Sequence, residues 1–128
     1  MKGNIIVVDD VVANLKILFA ALKQEGYKVR PLGNPLQIFD VARSTNPGLI
    51  LLDVRMPGMD GFEVCSKLKA DPELAHIPII FISAQSAGDE KSRRYAEYGA
   101  VDYIRKPFVI EDVLAKVSHH ILPGPQNP

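Results

Sequence analysis

A doubly wound α/β fold, five parallel strands in the order 2-1-3-4-5 with helices on both faces, is the architecture this 128-residue sequence predicts. Three observations carry that reading. Short apolar runs alternate with longer segments of helical period. Two of the runs are continuously apolar and a third is interrupted only near its start by Pro78, as suits strands buried on both faces. Strands that alternate with helices pair in parallel through right-handed crossovers, which leaves few topologies, and 2-1-3-4-5 is one of the common orders.

In chain order, Ile5-Ile6-Val7-Val8 reads as the first strand. Leu15, Leu18, Phe19 and Leu22 follow at helical spacing, and Gly26 ends that helix. Residues 27–30 form a shorter, more polar strand, which suits an edge. Asn34-Pro35 reads as the cap and first residue of a second helix, with Ile38, Val41 and Ala42 inward. Asn46-Pro47-Gly48 is a turn, and Leu49-Ile50-Leu51-Leu52 is the third strand. Gly61 opens a third helix with Phe62, Cys65 and Leu68 inward, and Asp71-Pro72 begins a loop. Residues 77–82 are a fourth strand, 89–98 a charged, weakly amphipathic fourth helix, and 101–104 a fifth strand. Ile110, Val113, Leu114 and Val117 mark the fifth helix. One domain over residues 1–122 is expected, with 123–128, which hold Pro123, Pro125 and Pro128, as a tail or the start of a linker.

Fifteen basic and fifteen acidic residues leave zero net charge, so no global field exists to hold nucleic acid or an anionic membrane. Cys65 stands alone, which rules out an internal disulfide and suits a reducing compartment. No apolar stretch approaches a membrane span, and the short N-terminal run ends in two aspartates, unlike a signal peptide. A soluble, cytoplasmic protein is expected.

Ligands of open α/β sheets bind beyond the carboxyl ends of the strands. Just after the apolar runs stand Asp9-Asp10, Asp53, Ser83 and Lys106, the last followed by Pro107. Two charged carboxylates ~4 Å apart near a surface repel by on the order of 4 kcal/mol. A divalent cation would relieve that, and an all-oxygen ligand set without His or Cys favours Mg²⁺, with Mn²⁺ or Ca²⁺ as alternatives. Mg²⁺ commonly also binds phosphate oxygens, so the set suits phosphoryl chemistry. Asp53 is the candidate nucleophile, Lys106 a point charge for a phosphate oxygen and Ser83 a hydrogen-bond donor to another.

These residues carry a family resemblance. Asp9-Asp10, Leu51-Leu52-Asp53, Met56-Pro57-Gly58-Met59-Asp60-Gly61, Ser83-Ala84 and Lys106-Pro107-Phe108 resemble, in this order, the receiver domain of response regulators over about residues 4–121. The resemblance implies two-component signalling. Asp53 would be the phosphoacceptor, phosphorylated by a sensor histidine kinase or phosphotransfer protein. Asp10 would ligate Mg²⁺ directly and Asp9 partly through water, with the backbone carbonyl of Arg55 completing the protein's share. Lys106 would bind the phosphoryl group, with a cis peptide to Pro107. Ser83 would move toward that group and Tyr103 would rotate in response. Output would pass through helix 4, strand 5 and helix 5, residues 89–120, to an output domain or partner protein. Arg55 and Gln85 flank the site where the family tunes phosphoryl-group lifetime. No turnover of an external substrate is implied, only self-catalysed phosphotransfer and autodephosphorylation.

Each residue also has a plainer reading. Asp9-Asp10 could cap a loop, Asp53 could end a strand into a turn, and Tyr103 could be strand surface. Arg93-Arg94 reads as a solvated helix face, His119-His120 as a helix end suited to the dipole, and Cys65 as core. His76 sits in a loop with no partner pattern. Among rival functions, a flavodoxin-like flavin protein would want a Ser/Thr/Gly phosphate loop where Asp9-Asp10 stand. An aspartyl-phosphate phosphatase would want a second acid close after the nucleophile, where Val54-Arg55 follow. A pseudo-receiver, an interaction module without phosphorylation, is the alternative; all five site residues being present argues against it.

Overall fold

The computed structural model describes residues 3–56, 59–84 and 94–123. Five strands form one parallel sheet: β1 (Asn4–Val8), β2 (Lys28–Leu32), β3 (Leu49–Asp53), β4 (Ile79–Ala84) and β5 (Asp102–Lys106). Their order is β2-β1-β3-β4-β5, the order expected. Helices α1 (Val12–Gln24), α2 (Ile38–Thr45), α3 (Gly61–Ala70) and α4 (Ile110–His120) cover it, α4 being the helix expected fifth in sequence. A two-residue antiparallel ribbon, Arg55–Met56 against Met59–Asp60, leads from β3 into α3.

The continuous apolar runs form the centre because alternate residues point to opposite faces. Ile6, Val8, Ile50, Leu52 and Phe81 pack with Ile38, Val64, Cys65 and Leu68 of α2 and α3. Ile5, Val7, Leu49, Leu51 and Ile82 pack with Leu15, Leu18, Leu22, Val113 and Val117 of α1 and α4. The four apolar residues of β1 and the four of β3 are wholly buried. Each such side chain contributes roughly 1.5–3 kcal/mol of transfer free energy, so these two strands anchor both layers.

The fifth strand, expected over 101–104, is found at Asp102–Lys106, and three further elements shift from their expected bounds for a visible reason. β2 starts one residue later than 27–30 and ends two later, because Tyr27 is buried in the turn with its amide bonded to the carbonyl of Leu22. Pro31 is tolerated inside β2 because that strand is an edge. Asn34 does cap, accepting from the amide of Leu36 at 3.0 Å, but Pro35–Gln37 make a 3₁₀ turn and α2 starts at Ile38. β4 begins at Ile79 rather than 77, after Pro78, whose carbonyl accepts from Ile50.

Of the fourth helix expected over 89–98, residues 89–93, including Arg93, lie outside the described residues, and Tyr95–Tyr98 is a 3₁₀ turn. In that tighter coil residues three apart lie over one another, which lets Tyr95 and Tyr98 both pack against the core. Pro57, Gly58, Gln85 and residues 124–128 also lie outside the described residues. Among the described residues no helix is long and apolar enough to cross a membrane.

Candidate functional site

β1, β3 and β5 run out at the same edge, and each ends in or against a charged side chain. Asp9 follows β1, Asp53 is the last residue of β3 and Lys106 the last of β5. Ser83 lies near the end of β4, opposite Arg105 and one residue beyond the level of Asp53, and is buried. Asp9 is fully buried and Asp53 is 2% exposed, whereas Asp10 is exposed. One carboxylate oxygen from each of Asp9, Asp10 and Asp53 lies within 4.8 Å of the others.

Both oxygens of Asp53 are held. Oδ1 accepts from the backbone amide of Arg55 at 3.0 Å, and Oδ2 accepts from Lys106 Nζ at 3.1 Å. Asp9 is held as firmly: Oδ1 accepts from the amide of Val11 at 2.9 Å, and Oδ2 faces Lys106 Nζ at 3.2 Å and accepts from Asn14 Nδ2 at 3.2 Å. The Lys106–Pro107 peptide is cis, as expected.

Burial pushes the Asp53 carboxyl up to about 6. The Asp9 charge adds to the rise, while the Arg55 amide and Lys106 oppose it. Lys106 is held above its ordinary value: burial works against its charge, but Asp53 and Asp9 outweigh burial. A carboxyl whose charge is this costly is a common mark of functional sites.

The neighbouring loop is tied closely to Asp53. Asp60 caps α3 by accepting from the amide of Phe62 at 2.9 Å, and the Gly61 amide donates to the carbonyl of Val54. A Cβ on Gly61 would stand 2.5 Å from Val54 Cα and 2.6 Å from the Asp53 carbonyl oxygen. The glycine that opens α3 is therefore what lets the helix abut the acidic strand end.

One Lys and three carboxylates leave excess negative charge in a largely buried place, and every donor is oxygen. That set fits a hard divalent cation of the Mg²⁺ or Mn²⁺ kind. The other polar candidates fall elsewhere. His120 Nε2 pairs with Asp102 at 3.1 Å, and His76 Nε2 meets Asn46 Oδ1 at 3.3 Å, a partner its sequence context does not announce. Cys65 is core: its Sγ meets the carbonyl of Tyr98, and burial pushes its thiol up to about 12, far from a thiolate nucleophile. Asn14 is the site contact that sequence reasoning missed. Its signal is position: it lies in the first turn of α1, five residues after Asp9.

A doubly wound five-stranded parallel sheet that gathers carboxylates and a lysine at its carboxyl edge defines a class of receiver-type α/β domain. Within it, this chain belongs to the response regulator receiver domain family of two-component signalling, which residues 5–118 match. It is 44% identical over 115 residues to the response regulator PleD of Caulobacter vibrioides, covering 89% of this chain and 24% of that protein. It is 33% identical over 122 residues to the polar-differentiation response regulator DivK of Brucella anthropi, covering 94% of this chain and 98% of that protein. The chain thus spans about a quarter of the first relative and nearly all of the second. Among solved structures, a CheY-like receiver domain protein from Methanospirillum hungatei superposes with a TM-score of 0.81 at 31% identity, covering 94% of this chain and 95% of that one. The receiver domain of a histidine kinase from Syntrophus aciditrophicus does so at 0.81 and 32%, covering 91% and 88%.

Proposed function

We propose that this chain is a phosphorylation-activated switch in which Asp53 accepts a phosphoryl group from the phosphohistidine of a sensor histidine kinase or phosphotransfer protein. The observation that carries the reading is the Asp53 carboxylate itself, buried, gripped at one oxygen by the Arg55 amide and at the other by Lys106. Held so, the carboxylate is oriented before a donor arrives, which is the larger part of what phosphoryl transfer asks of a protein.

In the step, an Asp53 oxygen forms a bond to phosphorus while the bond from phosphorus to the donor's imidazole nitrogen breaks. The nitrogen leaves with the bonding pair. Lys106 can then turn its charge from the carboxylate to the phosphoryl oxygens, since the one ammonium already faces both Asp53 and Asp9. Asp9, Asp10, Asp53 and the Arg55 carbonyl would hold Mg²⁺, which when bound supplies the positive charge that an anionic phosphoryl group needs beside three carboxylates. Asn14 and the Val11 amide keep the Asp9 carboxylate in place.

The switch follows from the added charge. Ser83, buried on β4, would gain a phosphoryl oxygen as partner, and Tyr103, on the adjacent strand, would respond in its packing. The change would be read on β5, α4 and the segment before β5 by an output domain or a separate partner protein, in the reducing cytoplasm that the lone Cys65 suits. The protein would act on itself, with phosphotransfer and autodephosphorylation but no turnover of an external substrate.

Intact mass after incubation with a phosphoramidate donor, with and without Mg²⁺, tests the proposal on wild type and Asp53→Ala. One phosphoryl group gained only with Mg²⁺ and only by the wild type is expected. A wild type that gains none and binds no beryllofluoride would instead be an interaction module independent of phosphorylation.

A further inference from the structure

Among the described residues β5 is an edge strand, so the outward peptide groups at Tyr103 have no neighbouring strand there to pair with. Side chains cover them instead. The Tyr103 amide donates to Asp102 Oδ1 at 2.8 Å, and the Tyr103 carbonyl accepts from Lys116 Nζ at 2.7 Å. The same ammonium stands 5.4 Å from the centre of the Tyr103 ring. Two carboxylates aim it there, Asp102 at 3.7 Å and Asp112, one turn back on α4, at 3.6 Å. His120 closes the arrangement by pairing with the other oxygen of Asp102. On the core side the Tyr103 ring meets Tyr95 at 5.8 Å between centroids.

We propose that Lys116 is a positioning residue for Tyr103, holding the ring in its present half-buried place and so setting how readily the domain passes to its phosphorylated packing. The inference rests on the reading of Tyr103 as the moving aromatic. The two contacts of Lys116 play different parts. The bond to the carbonyl belongs to the strand edge and persists wherever the ring goes. The contact with the ring exists only while the ring stays, so it stabilises one packing over the other, which is what a bias on a two-state equilibrium requires. Lys116 thereby ties α4, part of the proposed output surface, directly to the residue whose movement that surface would report.

The test compares wild type, Lys116→Met, Lys116→Gln and Lys116→Arg in the full chain, with carbon-labelled tyrosine followed by NMR and the Tyr103 signals assigned through Tyr103→Phe. Beryllofluoride with Mg²⁺ serves as the probe. In Lys116→Met the Tyr103 ring signals move toward their beryllofluoride-bound positions before any probe is added. The probe also binds about threefold to tenfold tighter, because a larger share of molecules is already competent. Lys116→Gln, which keeps a donor for the carbonyl but lacks the cation, behaves as Lys116→Met does, and Lys116→Arg restores wild-type values. A Lys116 that merely braces the fold would lower the melting temperature of Lys116→Met and Lys116→Gln while leaving ring signals and probe affinity as in wild type; that result overturns the proposal. Wild-type Tyr103 signals that ignore a probe shown to bind would overturn the switch reading of Tyr103 itself, and this inference with it.

Discussion

The two ends of the sheet are built on opposite principles. At the amino end the strands give way to closely packed backbone: the Leu122 amide donates to the Gly48 carbonyl, and a Cβ on Gly48 would stand 2.7 Å from the Leu122 carbonyl oxygen. At the carboxyl end the same strands run into Asp9, Asp53 and Ser83, which are buried, and Lys106, which is half-buried. One end is packed mostly main chain against main chain, although Asn4 Oδ1 is buried there without a hydrogen-bond partner among the described residues. The other holds carboxylates that repel one another and are only partly offset by one lysine. A sheet whose apolar middle is wholly buried has stability in hand, and here the unfavourable charge is confined to one edge.

The largest effect expected from breaking this contrast is at Gly61. Gly61→Ala would drive a methyl group into the backbone of Asp53 and Val54, at a cost of about 2–4 kcal/mol and with displacement of the acceptor strand end. Urea unfolding together with phosphoryl uptake would show both losses at once, and loss of stability with full uptake would contradict the placement.

The second effect is on the pH dependence of the metal-free protein. Asp53 titrates at about 6 when folded against 3.8 for the free group, so between these values the folded state binds more protons than the unfolded one. Stability therefore falls as pH rises through that window, by on the order of 3 kcal/mol at most from this group. Asp53→Asn should flatten the fall, and urea midpoints measured from pH 4 to 8 on both proteins would reveal it.

Gly48→Ala sharpens the comparison from the other end. Crowding Leu122 should cost about 1–2 kcal/mol, less than at Gly61 because a segment outside the sheet and helices yields more easily than the end of a strand paired on both sides. Phosphoryl uptake should stay as in wild type, and its loss would show the two ends to be coupled.

The smallest effect is expected at Arg43, which bridges Asp40, Asp71 and Glu73 on an exposed face. Arg43→Ala should shift stability by about 0.5 kcal/mol or less, and less still in high salt.

Much of this arrangement is legible in the sequence because it depends on single strands ending in single residues. The unbroken apolar runs of β1 and β3 announce buried strands, Asp9 and Asp53 stand directly after their runs, and Lys106 stands one residue further on, after Arg105. Less legible is whatever depends on three-dimensional register. Asn14 reaches Asp9 only because α1 turns back over the strand end, and Lys116 reaches Tyr103 only because α4 crosses the sheet edge. The late start of β2 reflects a Tyr27 that packs in a turn instead of a strand. The 3₁₀ turn at Tyr95–Tyr98 reflects two tyrosines that share one face, a tertiary demand that overrides a helical period.

That the carboxyl end is held at a cost which a divalent cation relieves is tested most directly by unfolding midpoints at pH 7.5 for wild type and Asp53→Asn, each with and without Mg²⁺. Without Mg²⁺, Asp53→Asn should be the more stable by about 1–2 kcal/mol. Millimolar Mg²⁺ should raise the wild type by a similar amount, raise the variant less and close the gap. A wild type more stable than Asp53→Asn in the absence of metal, or one that gains no more from Mg²⁺ than the variant does, would contradict the account.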